Sequence, residues 1–373
     1  MRASIIGLLL CLSLISSSHC SVQTQSRLAI LDSTVQVEFP AKLIFNLSVE
    51  SDVNVTDIRL HYLVDRMSFA EVTSEVLLEF EPDASVAAKW TLHTKKIGGL
   101  PPGALVTYWW TAEDASGDIV ETNPTRVQFD DERYSWNSLT EGKVTIYWYE
   151  GTQAFAQELI AIAQQELARL AKDTGTELDK PVKIYTYASA DDLRVATIYH
   201  HEWTGGIAFP RYGTITIGVA PDRLDWGKRA IAHELSHLVI QKTAFNPYIN
   251  LPVWLDEGLA MYAEGTLEPQ YRYRLHDAVV TQTLISIRSL SSPFSAYSGK
   301  AYLSYAQSYS LVEFLINNYG QSKILELLDI IKQGTSYDEA LEKVYGFDVA
   351  GLDTVWQEYW RRQLDFARPA YWY

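Results

Sequence analysis

The sequence predicts a chain in two parts, an all-β domain followed by an α+β domain whose C-terminal half is helical. Three observations predict it. Residues 25–130 hold short alternating apolar and polar runs separated by Gly and Pro turn signals. Residues 135–225 mix short strands with one long amphipathic helix. From Gln270 onward the pattern is helical. A length of 373 residues suits two or three domains of ordinary size.

The first element is a targeting segment. Met1-Arg2, an apolar run from Ile5 to Ile15 and then Ser16-Ser17-Ser18-His19-Cys20 form a signal-peptide pattern over residues 1–22. The run is too short for a membrane-spanning helix, and no later segment reaches eighteen apolar residues, so no span is expected once the signal is removed. His19 stands where a lipoprotein signal wants a small residue, which argues against lipidation of Cys20. Cys11 and Cys20 are the only cysteines, so an exported mature chain has no internal disulfide. The expected location is secreted or extracytoplasmic, at a bacterial cell envelope. In that setting the sequons at Asn46 and Asn54 carry no meaning. A net charge of −15 excludes a basic nucleic-acid binder or a polybasic membrane surface.

The β domain, residues 25–130, shows strand runs at Val35–Phe39, Lys42–Val49, Ile58–Tyr62, Ser74–Phe80, Ala87–His93, Val106–Ala112 and Thr125–Phe129. Gly98-Gly99, Pro101-Pro102-Gly103 and Ser116-Gly117-Asp118 punctuate them. Short strands at this spacing predict a β-sandwich, immunoglobulin-like or fibronectin-like. Asp130–Arg133 reads as a polar linker to a second domain at 135–373. There, Val144–Tyr149 and Pro181–Tyr187 read as strands. Gln153–Lys172 reads as an amphipathic helix and Gly205–Gly218 as a hairpin. Helices are expected at Asp225–Lys242, Pro252–Glu264, Tyr271–Leu284, Lys300–Tyr319, Ser322–Lys332, Ser336–Tyr345 and Val349–Phe366.

The chemistry sits in the first of these helices. His233-Glu234-Leu235-Ser236-His237 is a His-Glu-x-x-His run. Residues four apart share a helix face, so both imidazoles can reach one metal ion, with Glu234 placed to take a proton from water. A chance match is common in absolute terms. However, the run lies among Ile231, Leu235, Leu238, Val239 and Ile240, and a buried helix does not hold two His and one Glu without a partner. A catalytic zinc takes three protein ligands. Ile240 and Thr243 stand where a metzincin has Gly and His, which excludes that pattern. The segment PVWLDEGLAMYAEG supplies Glu257, twenty residues after His237, on a second apolar helix beyond the turn-rich FNPYIN. The pair His200-His201 has no further residue at ligand spacing and reads as loop.

HELSH followed by WLDEGLA resembles the gluzincin metallopeptidases, which pair His-Glu-x-x-His with a distant Glu. Trp254 to Ala260 is similar to the glutamate-ligand helix of M1-type aminopeptidases, and the layout to the smaller peptidase MA-like proteins. The resemblance implies a zincin-type peptidase domain. It implies one zinc per chain on His233, His237 and Glu257, with Glu234 as general base on a peptide or protein substrate. Gluzincins often place a Tyr or His from the helical half at the developing oxyanion. Tyr305, Tyr309 and His276 are the candidates, and Tyr305 lies in a helix that resembles the matching one. The resemblance also implies peptide binding along a strand edge, at Ile207–Phe209 or Thr214–Gly218. Asp256 and Glu264 are acids near enough to orient the histidines.

The leading reading is therefore an extracytoplasmic zinc peptidase. The alternative is a surface scaffold whose peptidase fold has lost activity, a role that has no use for Glu234. A third is a zinc hydrolase acting on a non-peptide bond.

Overall fold

The structure is a computed structural model and describes residues 28–68, 70–198 and 205–367. The expected signal peptide, Cys20 and the His200-His201 pair lie outside the described residues.

Seven strands build the N-terminal domain: β1 Ala29–Glu38, β2 Lys42–Val64, β3 Ser74–Leu77, β4 Asp83–His93, β5 Ala104–Asp114, β6 Ile119–Glu121 and β7 Thr125–Phe129. β2 organises them. Its first half, Lys42–Glu50, lies between β1 and β4, and its second half, Val55–Val64, between β3 and β5. The pairing shifts register between these halves, where the strand passes from one layer of the sandwich to the other. Leu43, Phe45, Leu47 and Val49 of one layer share a core with Val106, Tyr108 and Trp110 of the other. The Phe45 and Tyr108 rings meet edge-on at 5.0 Å. Two separate strands were expected where β2 is continuous. The intervening Ser51–Asp57 looks turn-like, yet it keeps the strand period: Asp52, Asn54 and Thr56 face solvent while Val55 is buried.

The second sheet runs β11-β12-β10-β9-β8, from β8 Asn137–Glu141, β9 Val144–Trp148, β10 Val182–Tyr187, β11 Gly206–Phe209 and β12 Thr214–Gly218. β9, β10 and β12 are parallel, and β8 and β11 are antiparallel edges. One face carries Val144, Ile146, Val182, Ile184, Ile215 and Ile217. It packs under α1 (Gln153–Thr174) and α3 (Leu224–Thr243). α1 is capped at Thr152, whose side chain accepts from the Phe155 amide, and ends at Gly175 with φ 68°. The other face carries Tyr185 and Tyr187 beneath α2 (Ala190–Ala196).

Asp130–Arg133 does not behave as a free linker. Asp131 is fully buried; it accepts from Arg133 and from the Tyr187 hydroxyl at 3.0 Å. The sandwich also touches the second sheet directly, through Lys183 Nζ donating to the Gly103 carbonyl and the Met67 amide to that of Arg211.

The helical half comprises α4 Val253–Ala263, α5 Pro269–Val280, α6 Ile287–Leu290, α7 Ser298–Tyr319, α8 Gln321–Lys332, α9 Tyr337–Tyr345 and α10 Val349–Ala367. Trp254, Leu255, Leu311, Val312, Leu315, Leu328 and Trp356 are its sealed centre. α4 crosses α7 closely at Gly258, where an added Cβ would press on the Ser308 carbonyl and lie 2.7 Å from Val312. Among the described residues no helix is long and apolar enough to cross a membrane.

Candidate metal centre and catalytic cleft

α3 joins the two cores. Ile231, Leu235, Leu238 and Val239 pack on the sheet, and Ile240 on the helical half. Its remaining face looks into a cleft of about 1220 Å³ bounded by β11, α3, α4 and α7. His233 and His237, one turn apart, line that cleft, and Glu257 enters from α4. Ligand atoms of these three lie within 4.8 Å of one another. Glu257 Oε2 is 3.4 Å from His233 Nε2 and 3.6 Å from His237 Nε2. It is buried, with no hydrogen-bond partner among the described residues.

The far side of each imidazole is held by a carboxylate. His233 Nδ1 lies 2.8 Å from Glu264 Oε1, and His237 Nδ1 lies 3.2 Å from Asp256 Oδ1. Nδ1 of His233 bonds Glu264 and Nδ1 of His237 faces Asp256 at ion-pair distance, so both Nε2 atoms are turned toward Glu257. Glu264 is itself fixed by Arg229 at 2.9 Å, which also pairs with Glu268. Asp256 accepts from Gln241 at 3.0 Å. Glu234, Asp256, Glu257 and Glu264 thus converge on two imidazoles and one guanidinium, an excess of negative charge that a dication offsets in large part. The orphaned Glu257 oxygen, the two inward Nε2 atoms and this charge balance fit a bound metal ion.

Burial works against charge on both histidines, but the carboxylates of Glu257 and Glu264 beside it carry His233 well above the ordinary imidazole range. Asp256 and Glu257 push His237 up to about 9. Burial would raise Asp256 and Glu264, and their imidazole partners outweigh it, so both lie below the usual carboxylate range. Glu234 is moved the other way: burial raises its carboxyl, and the two imidazoles only partly offset this.

Glu234 lies against β11. A Cβ on Gly206 would stand 2.5 Å from Glu234 Oε1, so the bare backbone at Gly206 is what admits the carboxylate. Among the oxyanion candidates the structure separates Tyr305 from the rest. Its ring is 6.4 Å from that of His233, rests on Phe294 at 5.2 Å and lines the cleft. Burial, with the charges of Glu257 and Glu234, holds its phenol well above the ordinary value, so it stays a donor. Tyr309 instead gives its hydroxyl to Glu313 at 3.0 Å, and His276 is exposed away from the cleft. Of the two expected strand edges, β11 is an edge. Thr214–Gly218 is β12, paired on both sides by β10 and β11, so its backbone is used up inside the sheet. Arg229 and Gly206 were not anticipated. Arg229 stands four residues before His233, the same helical spacing that joins the histidines, and that spacing was the available signal.

A family model for the peptidase MA superfamily matches residues 162–362, over half of the chain, and includes α3, α4 and α7. The chain belongs to the peptidase MA superfamily. This peptidase MA member combines an N-terminal β-sandwich with an α+β zincin-type domain and a helical C-terminal half. None of the curated proteins matches it. Solved structures that resemble it distantly include two of note. One is a catalytically inactive OgpA from Akkermansia muciniphila with an O-glycopeptide substrate (TM-score 0.22, 11% identity). That match covers 29% of this chain and 30% of that one. The other is a variant M1 zinc metallopeptidase from Deinococcus radiodurans (TM-score 0.36, 13% identity), covering 88% of this chain and 94% of that one.

Proposed function

We propose that this peptidase MA member is an extracytoplasmic zinc peptidase. Its expected parts are a signal peptide over 1–22, a sandwich over 25–130 and a catalytic domain over 135–373. The observation that carries the reading is the convergence of His233, His237 and the orphaned Glu257 Oε2 beside Glu234, in a member of a peptidase family. These three residues hold the zinc. Once bound, zinc supplies Lewis-acid polarisation of the peptide carbonyl and acidifies water.

The chain's own residues do the rest. Glu264 and Asp256 hold both imidazoles in the tautomer that turns Nε2 inward. A peptide strand lies along the β11 edge with its scissile carbonyl over the cleft. Glu234, held close to β11 by Gly206, takes the proton of the attacking water and delivers it to the departing amine. The Tyr305 hydroxyl donates to the oxygen that gains charge as the carbonyl becomes tetrahedral. Nothing in a surface scaffold would require a buried carboxylate at Glu234 between the two histidines.

The test is cleavage of a peptide library by the zinc-loaded chain, read by mass spectrometry with and without a chelator. Chelator-sensitive hydrolysis of peptide bonds is expected. A chain that binds no zinc, or cleaves equally with the chelator, overturns the reading. Turnover of ester or non-peptide amide substrates alone would shift it to a different bond.

A further inference from the structure

β11 separates two cavities. Its outer edge pairs with no strand among the described residues. On the α3 face lie Gly206, against Glu234, and Ala208, on the core beneath α3. On the opposite face Ile207 joins the cluster of Tyr185, Tyr187 and Ala196. There a second recess, of about 290 Å³, lies between the β-sandwich and the end of α2. Gly98, Gly99 and Leu100 form one wall, Ala196, Thr197 and Ile198 the other, and β11 the floor. Apart from Thr197 the lining is aliphatic, aromatic or bare backbone. The sandwich wall is fixed in place. Leu100 is buried, the Gly99 amide donates to Thr94, and the Thr94 hydroxyl donates to the Pro40 and Ala41 carbonyls. Gly98 and Gly99 (φ 85° and 87°) hold the left-handed backbone that shapes this loop and that glycine adopts without strain.

We propose that this recess is a substrate subsite that takes one apolar side chain of a peptide bound along β11. The inference rests on the peptidase reading. Side chains of an added strand alternate between faces, so those beside Gly206 and Ala208 enter the catalytic cleft and their immediate neighbours turn to the other side. That other side is the recess. The two cavities share Ile207, Ala208 and Phe209, so one strand reaches both. At about 290 Å³ the recess lies at the small end of ligand sites, roughly 300–1,000 Å³, and has room for one large side chain. The sandwich thereby acts in substrate selection: its Gly98–Leu100 loop is half of the subsite wall.

The test is the cleavage-site profile of the zinc-loaded full chain on a peptide library, for wild type, Thr197→Trp and Ile198→Ala, with melting curves to establish folding. The wild type should select a large apolar residue at one position. Thr197→Trp should lower that selection about tenfold in favour of small residues, and Ile198→Ala should broaden it toward larger ones, with other positions unchanged. Should Thr197→Trp not fold, Ile198→Ala decides alone. A wild-type profile with no apolar position, or variants that keep the wild-type profile, overturns the subsite and leaves the peptidase reading standing. A zinc-loaded wild type that cleaves no peptide overturns both.

Discussion

Gly206→Ala isolates the proposed general base, Glu234, without touching a proposed metal ligand. The new Cβ would stand 2.5 Å from Glu234 Oε1 and 3.0 Å from its Cδ. Ordinary carbon–oxygen contacts sit at roughly 3.3–3.6 Å, so the carboxylate must retreat by about 1 Å. The end of a Glu side chain can do this without disturbing the fold, and so the cost falls on chemistry. A displacement of about 1 Å at a reacting group costs on the order of 100-fold in rate, or about 2.7 kcal/mol of transition-state stabilisation. The expected result is kcat reduced about 30- to 100-fold, KM changed far less, one zinc per chain retained and an unchanged melting temperature. The measurements are steady-state kinetics on a cleaved peptide, metal analysis and a thermal melt on the same preparation. A kcat within about twofold of wild type at full zinc content would refute the placement of Glu234 and the role of the bare backbone beside it.

Other outcomes follow from the same geometry. Glu264→Ala and Asp256→Ala each release one imidazole from its Nδ1 acceptor and should weaken zinc binding about 10- to 100-fold in a competitive chelator titration, leaving the sandwich and its melting unaffected. Gly258→Ala drives a methyl group against the Ser308 carbonyl and Val312 where α4 crosses α7. It should destabilise the fold by about 1–3 kcal/mol in denaturant unfolding. Burial raises the phenols of Tyr185 and Tyr187. A raised folded-state pKa contributes stability below the free tyrosine value of about 10, which is lost as pH rises through the folded values. An ultraviolet titration should therefore show part of the tyrosine content protonated above pH 10 until the chain unfolds, and normal ionisation of all tyrosines would contradict this burial.

The candidate metal-binding group was readable because each of its residues sits in a short local pattern. His233 and His237 need only the helical period, and Glu257 lies on an apolar helix bounded by Pro252 and a turn-rich stretch. Asp256 and Glu264 were visible as acids near the site. Which histidine each serves depends on how α3 and α4 are rotated against each other, and packing sets that rotation. Gly206 facing Glu234 is a contact between a strand and a helix whose residues share no sequence period, so no local signal existed. β2 was divided because Asp52, Asn54 and Thr56 look like turn residues. They are the solvent face of a strand that runs on. Asp131 was read as linker because charge is usually exposed. Arg133 and the Tyr187 hydroxyl allow it to be buried.

In the proposed mechanism Glu234 works as the base beside a zinc held by His233, His237 and Glu257. The most direct measurement is the peptide cleavage rate of Glu234→Gln against wild type, both brought to one zinc per chain. The expected result is at least a 100-fold loss of rate with zinc affinity essentially kept, since Glu234 is not among the proposed ligands. Equal rates at equal zinc content would contradict it.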